Sequence, residues 1–144
     1  MKVKVDVSQQ YKEPYVEIHT DKITEDIQRI IDFLNSGDSP IVGLRNEEDM
    51  VILKPEEIYM IRIEDGDTIV YTQNQQYRSR KRLYELSEQL GNRFMQISKS
   101  TLINLLYIDS IEPSFTGLLL KLRNGNKDYV SRTYLKQLKN YLGL

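Results

Sequence analysis

Gly117-Leu118-Leu119-Leu120-Lys121-Leu122-Arg123-Asn124-Gly125-Asn126-Lys127-Asp128-Tyr129-Val130-Ser131-Arg132-Thr133-Tyr134-Leu135-Lys136 spells out a strand, a tight turn, a second strand and a capped helix in sequence. Asn-Gly is the dipeptide that supplies positive φ to a two-stranded turn, so Gly117–Leu122 and Lys127–Val130 are predicted to pair. Ser131 is the natural N-cap of a final helix, with Leu135, Leu138 and Leu142 on its inner face and Lys136 and Lys139 outside. Arg132 and Thr133 then fall in the first helical turn, where backbone amides point outward. A capped helix needs Ser131 but has no structural use for the long donor fork of Arg132, which suits a phosphate or a guanine edge.

Upstream, Arg93-Phe94-Met95-Gln96-Ile97-Ser98-Lys99-Ser100-Thr101-Leu102-Ile103-Asn104 places four polar residues between two apolar runs. Strands are predicted at Phe94–Ile97 and Leu102–Ile108. Hydroxyls and a lysine held on such a rigid edge can bond phosphates and base edges, and a plain polar turn has the same pattern. Earlier still, the sequence predicts strands at Ile41–Leu44, Met50–Leu53, Glu57–Ile63, Thr68–Thr72 and Gln76–Arg78. Glu64-Asp65-Gly66-Asp67 supplies a hairpin turn. A short helix carrying Leu83, Leu86 and Leu90 follows and stops at Gly91. Arg78-Ser79-Arg80-Lys81-Arg82 leads into that helix, and a helix N-terminus with added cations is a phosphate site, although such runs are also common on solvated faces.

The amino-terminal segment has a different texture. Val3, Val5 and Val7 alternate with polar residues, as do Tyr15-Val16-Glu17-Ile18, which predicts two half-buried strands. Ile23, Ile27, Ile30, Ile31 and Leu34 then trace the apolar stripe of an amphipathic helix, with Asp21 as its expected N-cap and Gly37 as its stop. Asn35-Ser36-Gly37-Asp38-Ser39-Pro40 is the clearest linker-like stretch. The division expected is an acidic β-β-α leader over residues 1–39 and a β-rich domain over residues 40–144.

Composition narrows the chemistry. The 144 residues suit one domain with a short annex, long enough to bury about two thirds of the unfolded chain's surface without a metal or disulfide. The chain has no cysteine, which removes a disulfide framework, a thiolate nucleophile and a cysteine zinc site. No signal-peptide run and no stretch of about 18 apolar residues occurs, so a cytoplasmic location is expected. His19 is the only histidine, and glycines are scattered rather than grouped into a phosphate loop, so no catalytic constellation or cofactor is expected. The net charge of −1 conceals an asymmetry: residues 1–53 hold six basic and eleven acidic side chains, residues 78–144 twelve and five. A basic rear can meet a polyanion or simply be a solvated surface.

Taken together, these clusters resemble the LytTR family of DNA-binding domains. The resemblance rests on Phe94, Ser98-Lys99-Ser100, Leu102-Ile103-Asn104, Ile108, Ile111, Leu120-Lys121-Leu122, Asn124-Gly125 and Val130-Ser131-Arg132, in that order. Lys54-Pro55-Glu56-Glu57-Ile58-Tyr59-Met60-Ile61 is similar to the family's opening strand. The match spans roughly residues 41–144 and implies an α+β, mainly β, elongated fold with one internal and one carboxy-terminal helix. It also implies that Ser98, Lys99, Ser100, Arg132, Thr133 and Lys136 enter successive major grooves of double-stranded DNA, with Arg78, Arg80 and Arg82 as auxiliary phosphate ligands. The turn at Glu64–Asp67 would be a third DNA loop, and an acidic one. Ser98 stands where the family often has histidine, and Asn104 is expected to tie loop backbone together rather than touch DNA.

With only some 38 residues ahead of the match, no phosphorylatable receiver domain is expected, and the resemblance is to stand-alone LytTR regulators. For such regulators the implied partners are repeated half-sites on DNA, a weak homodimer, and a small membrane protein that restrains the regulator. The rival expectation is a protein–protein adaptor that does not bind DNA, with the acidic leader as its working surface.

Overall fold

The computed structural model describes residues 1–35, the side chain of Asn35 excepted, and residues 40–144. The expected helix stop at Gly37 and most of the linker lie outside the described residues. A first helix, α1, spans Glu25–Asn35. Ten strands follow with two further helices among them: β1 (Ile41–Leu44), β2 (Met50–Leu53), β3 (Met60–Glu64), β4 (Asp67–Tyr71), β5 (Gln76–Ser79), α2 (Leu83–Leu90), β6 (Phe94–Ser98), β7 (Thr101–Asn104), β8 (Ile108–Ser114), β9 (Gly117–Leu122), β10 (Lys127–Val130) and α3 (Arg132–Leu142). β1 to β7 build a seven-stranded antiparallel sheet in the order β2-β1-β5-β4-β3-β7-β6, and β10-β9-β8 make a second, three-stranded one.

The period of two along each central strand explains why the large sheet is covered on both faces. Ile61, Val70, Phe94 and Leu102 turn to one side, where Leu83, Leu86 and Leu90 of α2 close over them. Their chain neighbours Met60, Tyr71, Met95 and Ile103 turn to the other, onto Leu120 and Leu122 of β9, Val130 of β10 and Leu138 of α3. The apolar pairs Met60-Ile61, Val70-Tyr71 and Leu102-Ile103 are therefore strand segments buried on both faces, each residue belonging to a different core.

Several expected boundaries shift. The expected strand Glu57–Ile63 begins only at Met60, because Pro55–Glu57 winds into a 3-10 turn with Pro55 at its first position. The expected strand Leu102–Ile108 breaks at Asn104. There the Asn104 side chain accepts from Leu106 N at 3.0 Å and donates to Ile58 O at 2.9 Å, forcing Leu105–Tyr107 into another 3-10 turn. Asn104 is thus a backbone tie, 4 % exposed.

The leader departs furthest from expectation. None of residues 1–24 is in a strand, and all of residues 1–26 are exposed. Val3, Val5 and Val7 alternate correctly for a strand, but alternation forms one only when an edge is supplied, and no described strand lies against them. The helix begins after Thr24 rather than Asp21, the Thr24 hydroxyl accepting from Ile27 N at 3.4 Å. α1 is fastened by Ile27, 9 % exposed, and by Asn92, whose side-chain amide donates to Arg29 O at 3.4 Å.

Candidate nucleic-acid interface

The β6–β7 turn carries Ser98-Lys99-Ser100. Its backbone is held on both sides. Ser98 Oγ accepts from Ser100 N at 3.2 Å, and Ser100 O accepts from Ile63 N of the neighbouring strand at 2.9 Å. Lys99 is exposed at the tip of this braced turn. The two serine hydroxyls lie 3.3 Å apart and are half-buried, so part of their bonding capacity is spent on the turn itself. Lys99 is consequently the side chain of this cluster best placed to reach outward.

Between Gln96 and Ser98 the β6–β7 register slips by one residue, a bulge at Ile97. Bulges re-aim the backbone next to them, and here the Ile97 carbonyl accepts from Ser131 N at 2.8 Å. Ser131 is the residue that opens α3, so one hydrogen bond joins the β6–β7 turn to the start of the last helix. Two clusters more than 30 residues apart in the chain become one surface: Lys99 from the turn, with Arg132, Thr133 and Lys136, all exposed, from the helix. Among the described residues Ser131 makes no side-chain capping bond. It serves the N-cap position through its extended backbone, φ −75° and ψ 156°. Leu138, 1 % exposed, anchors the helix that carries the cations.

A polar network missed by sequence reasoning fixes this surface from beneath. Arg62 Nε donates to Glu64 Oε1 at 2.9 Å, and Tyr71 Oη donates to the same oxygen at 2.5 Å. Arg62 also lies 3.7 Å from Asp128, which accepts the hydroxyl of fully buried Thr101 at 2.6 Å. The hydrogen bond from Tyr71, aided by the Arg62 guanidinium and opposed by partial burial, holds the Glu64 carboxyl below the usual carboxylate range. Burial and Glu64 together push the Tyr71 hydroxyl up. The partners are 2 to 66 residues apart and no local motif announces them. The only available signals were an arginine inside an otherwise apolar strand and a threonine at the start of another.

That network alters how the acidic hairpin is understood. Glu64 faces inward to Arg62 and Tyr71, leaving Asp65 and Asp67 as the exposed charges of the turn. Asp65 (φ 50°) and Gly66 (φ 83°) both adopt the left-handed conformation, which the sequence Asp-Gly was expected to provide. The strand register places this turn at the same sheet end as Lys99, because Arg62 pairs with Thr101 and Glu64 with Asp67.

Of the third basic group, Arg80 reaches that end too, since Thr68 pairs with Ser79. It stands three strand spacings from the β6–β7 turn, roughly 14 Å at about 4.8 Å per strand. Arg78 is exposed within β5 and Arg82 sits at the N-cap of α2. The Arg82 amide is already bonded to Glu85 Oε1 at 3.2 Å, and Lys81 Nζ to Gln89 at 2.8 Å. The start of α2 therefore has its own carboxylate, which makes it a poorer anion site than its arginines alone suggest. His19, 3.5 Å from Glu17 with both side chains exposed, belongs to no such cluster.

The chain has relatives among known proteins. The family model of the LytTr DNA-binding domain matches residues 48–143. A Staphylococcus aureus (strain NCTC 8325 / PS 47) protein described as an uncharacterized HTH-type transcriptional regulator is 31 % identical over 147 residues, covering 100 % of this chain and 99 % of that one. A counterpart with the same description from the bovine strain RF122 / ET3-1 is 30 % identical over the same length, with the same coverage. Among solved structures, a LytTr DNA-binding domain from Bacillus cereus superposes with a TM-score of 0.67 over 75 % of this chain and 100 % of its own, at 22 % identity, a likeness of fold. With a family model that covers β2 to β10, α2 and α3, the chain belongs to the LytTr DNA-binding domain family.

Proposed function

We propose that this protein is a sequence-specific regulator of transcription that grips duplex DNA through the β6–β7 turn and the start of α3, with both loops entering the major groove. The observation that carries this is the Ser131 N to Ile97 O bond, which brings Lys99 and Arg132 onto one rigid surface. Lys99, Arg132 and Lys136 supply cationic donors, Ser98, Ser100 and Thr133 supply hydroxyls, and Arg78, Arg80 and Arg82 are outlying phosphate ligands. Such a division of labour is what duplex recognition requires, since phosphate contacts set the register and a forked donor reads guanine. Arg80 and Lys99 flank the acidic turn, so the phosphate contacts fall on either side of Asp65 and Asp67 rather than at them.

The same proposal includes two copies on repeated half-sites, and a small membrane protein as the restraining partner by analogy with stand-alone regulators. Among the described residues no helix is long and apolar enough to cross a membrane.

Selection of bound duplexes from a random pool, followed by titration at several salt concentrations, tests the proposal. A repeated motif should emerge. If all six basic residues named here meet phosphates, log Kd should change with log salt with a slope of about 5, at about 0.9 per phosphate. Lys99→Ala and Arg132→Ala should each weaken specific binding by about 1–3 kcal/mol with the fold intact. Unchanged affinity in both variants would refute the assignment of the surface, and indifference to duplex at any salt would leave the adaptor as the function.

A further inference from the structure

We infer that the amino-terminal arm, residues 1–24, is a strand donor that pairs with the β2 edge of a second copy of this chain, closing a reciprocal dimer. The arm has the alternation of a strand and none of its burial: Val3, Val5 and Val7 are 84, 79 and 89 % exposed. Among the described residues its hydrogen bonds are local, such as Tyr11 N to Ser8 O and Thr20 Oγ1 to Lys22 O. A segment that exposes apolar side chains at every second position gains stability only by joining a sheet edge.

The large sheet offers such an edge. β2 is its terminal strand, pairing with β1 and ending the order. The opposite terminal strand, β6, is flanked by the start of α3 through Ser131. On the outward face of β2, Met50 and Ile52 are 66 and 60 % exposed, and Val42, the cross-strand partner of Ile52, continues the apolar stripe. The edge is four residues long, and nothing among the described residues pairs with its outer side.

Charge selects both the donor segment and its direction. Glu47, Glu48 and Asp49 precede β2 and Lys54 follows it, whereas Lys2 and Lys4 precede Asp6 in the arm. Laid parallel, with Val3 beside Met50 and Val5 beside Ile52, the arm sets Lys2 next to Asp49 on the same face of the sheet. An antiparallel arm, with Val5 beside Met50, would set Asp6 next to Asp49. The copy's own arm is not at this edge, since none of residues 1–24 is in a strand. A second copy returns an identical arm to an identical edge, so the exchange closes with two-fold symmetry.

This dimer is independent of the proposed DNA surface and is tested apart from it. Sedimentation equilibrium of the full chain should give twice the 17.0 kDa chain mass at micromolar concentration. Val5→Lys and Ile52→Lys each alter an exposed side chain, so each should return the mass to 17.0 kDa with the far-UV circular dichroism of the folded chain retained. Because the chain has no cysteine, a Val5→Cys chain mixed with an Ile52→Cys chain should form a mixed disulfide on oxidation, which pairing within one copy cannot produce. A single-chain mass at all concentrations overturns the inference, as does a dimer that survives both lysine substitutions. Binding to one isolated half-site should persist in the monomeric variants, so loss of the dimer and loss of DNA recognition remain distinguishable.

Discussion

Replacing Asn104 with alanine should destabilise the fold while sparing the proposed DNA-contacting surface, and the size of the effect follows from its surroundings. The side chain is 4 % exposed and makes two hydrogen bonds, donating to Ile58 O at 2.9 Å and accepting from Leu106 N at 3.0 Å. Losing the first leaves a carbonyl in the core without that donor, at about 1–3 kcal/mol. Losing the second removes a side-chain cap from the Leu105–Tyr107 turn, at about 0.5–2 kcal/mol. Water can enter only in part, so the two together should come to about 2–4 kcal/mol. For a chain of this length that is a fall of about 10 °C in unfolding temperature. Urea unfolding followed by far-UV circular dichroism measures it, with the midpoint displaced and the slope unchanged. Operator affinity measured well below the transition should stay within about twofold of wild type. A stability loss under about 0.5 kcal/mol would refute the tie, and a specific-affinity loss without a stability loss would make Asn104 a DNA contact instead.

The remaining expectations concern the supports of the same surface. Leu138→Ala should cost about 2–5 kcal/mol in denaturant unfolding, because the residue is 1 % exposed and seats α3 on the second core. Gly43→Ala should cost about 1–3 kcal/mol, since an added Cβ would come 2.7 Å from Tyr77 Cβ and 3.2 Å from Leu53 Cδ1. The folded carboxyl of Glu64 titrates below its ordinary 4.5, so its ionised form adds stability above that value and loses it as pH falls through the lowered folded value. The stability difference between wild type and Glu64→Gln should accordingly be present at neutral pH and shrink below pH 4.5. A difference that stays constant from neutral to acid would mean that Glu64 is not held by Tyr71 and Arg62.

Much of the fold was legible locally. β1, β2, β9 and β10 occupy the residues that alternation and turn chemistry assign to them, and α2 ends at Gly91 as its stop signal requires. Those elements depend on contacts a few residues apart, and their propensities agree with their surroundings. The misplacements fall where a distant partner decides. Asn104 breaks the expected long strand because its amide reaches Ile58, 46 residues away. The valines at 3, 5 and 7 have the period of a strand, yet no edge meets them within the described chain.

Sequence by itself determined the ingredients of the proposed binding surface: a lysine in a polar turn between two apolar strands, an arginine in the first turn of a capped helix, and a basic rear half. It also carried the ordered resemblance that named the family, because the spacing of turns and apolar positions is written along the chain. Only the tertiary structure decided that Lys99 and Arg132 share one surface. The bulge at Ile97 turns a carbonyl toward Ser131, and no local pattern encodes a hydrogen bond across 34 residues of chain. Nor could sequence show that Glu64 faces inward. An acidic residue in a hairpin is equally at home in water, and it was the Arg62 and Tyr71 side chains, brought alongside by strand register and pleat, that drew it in.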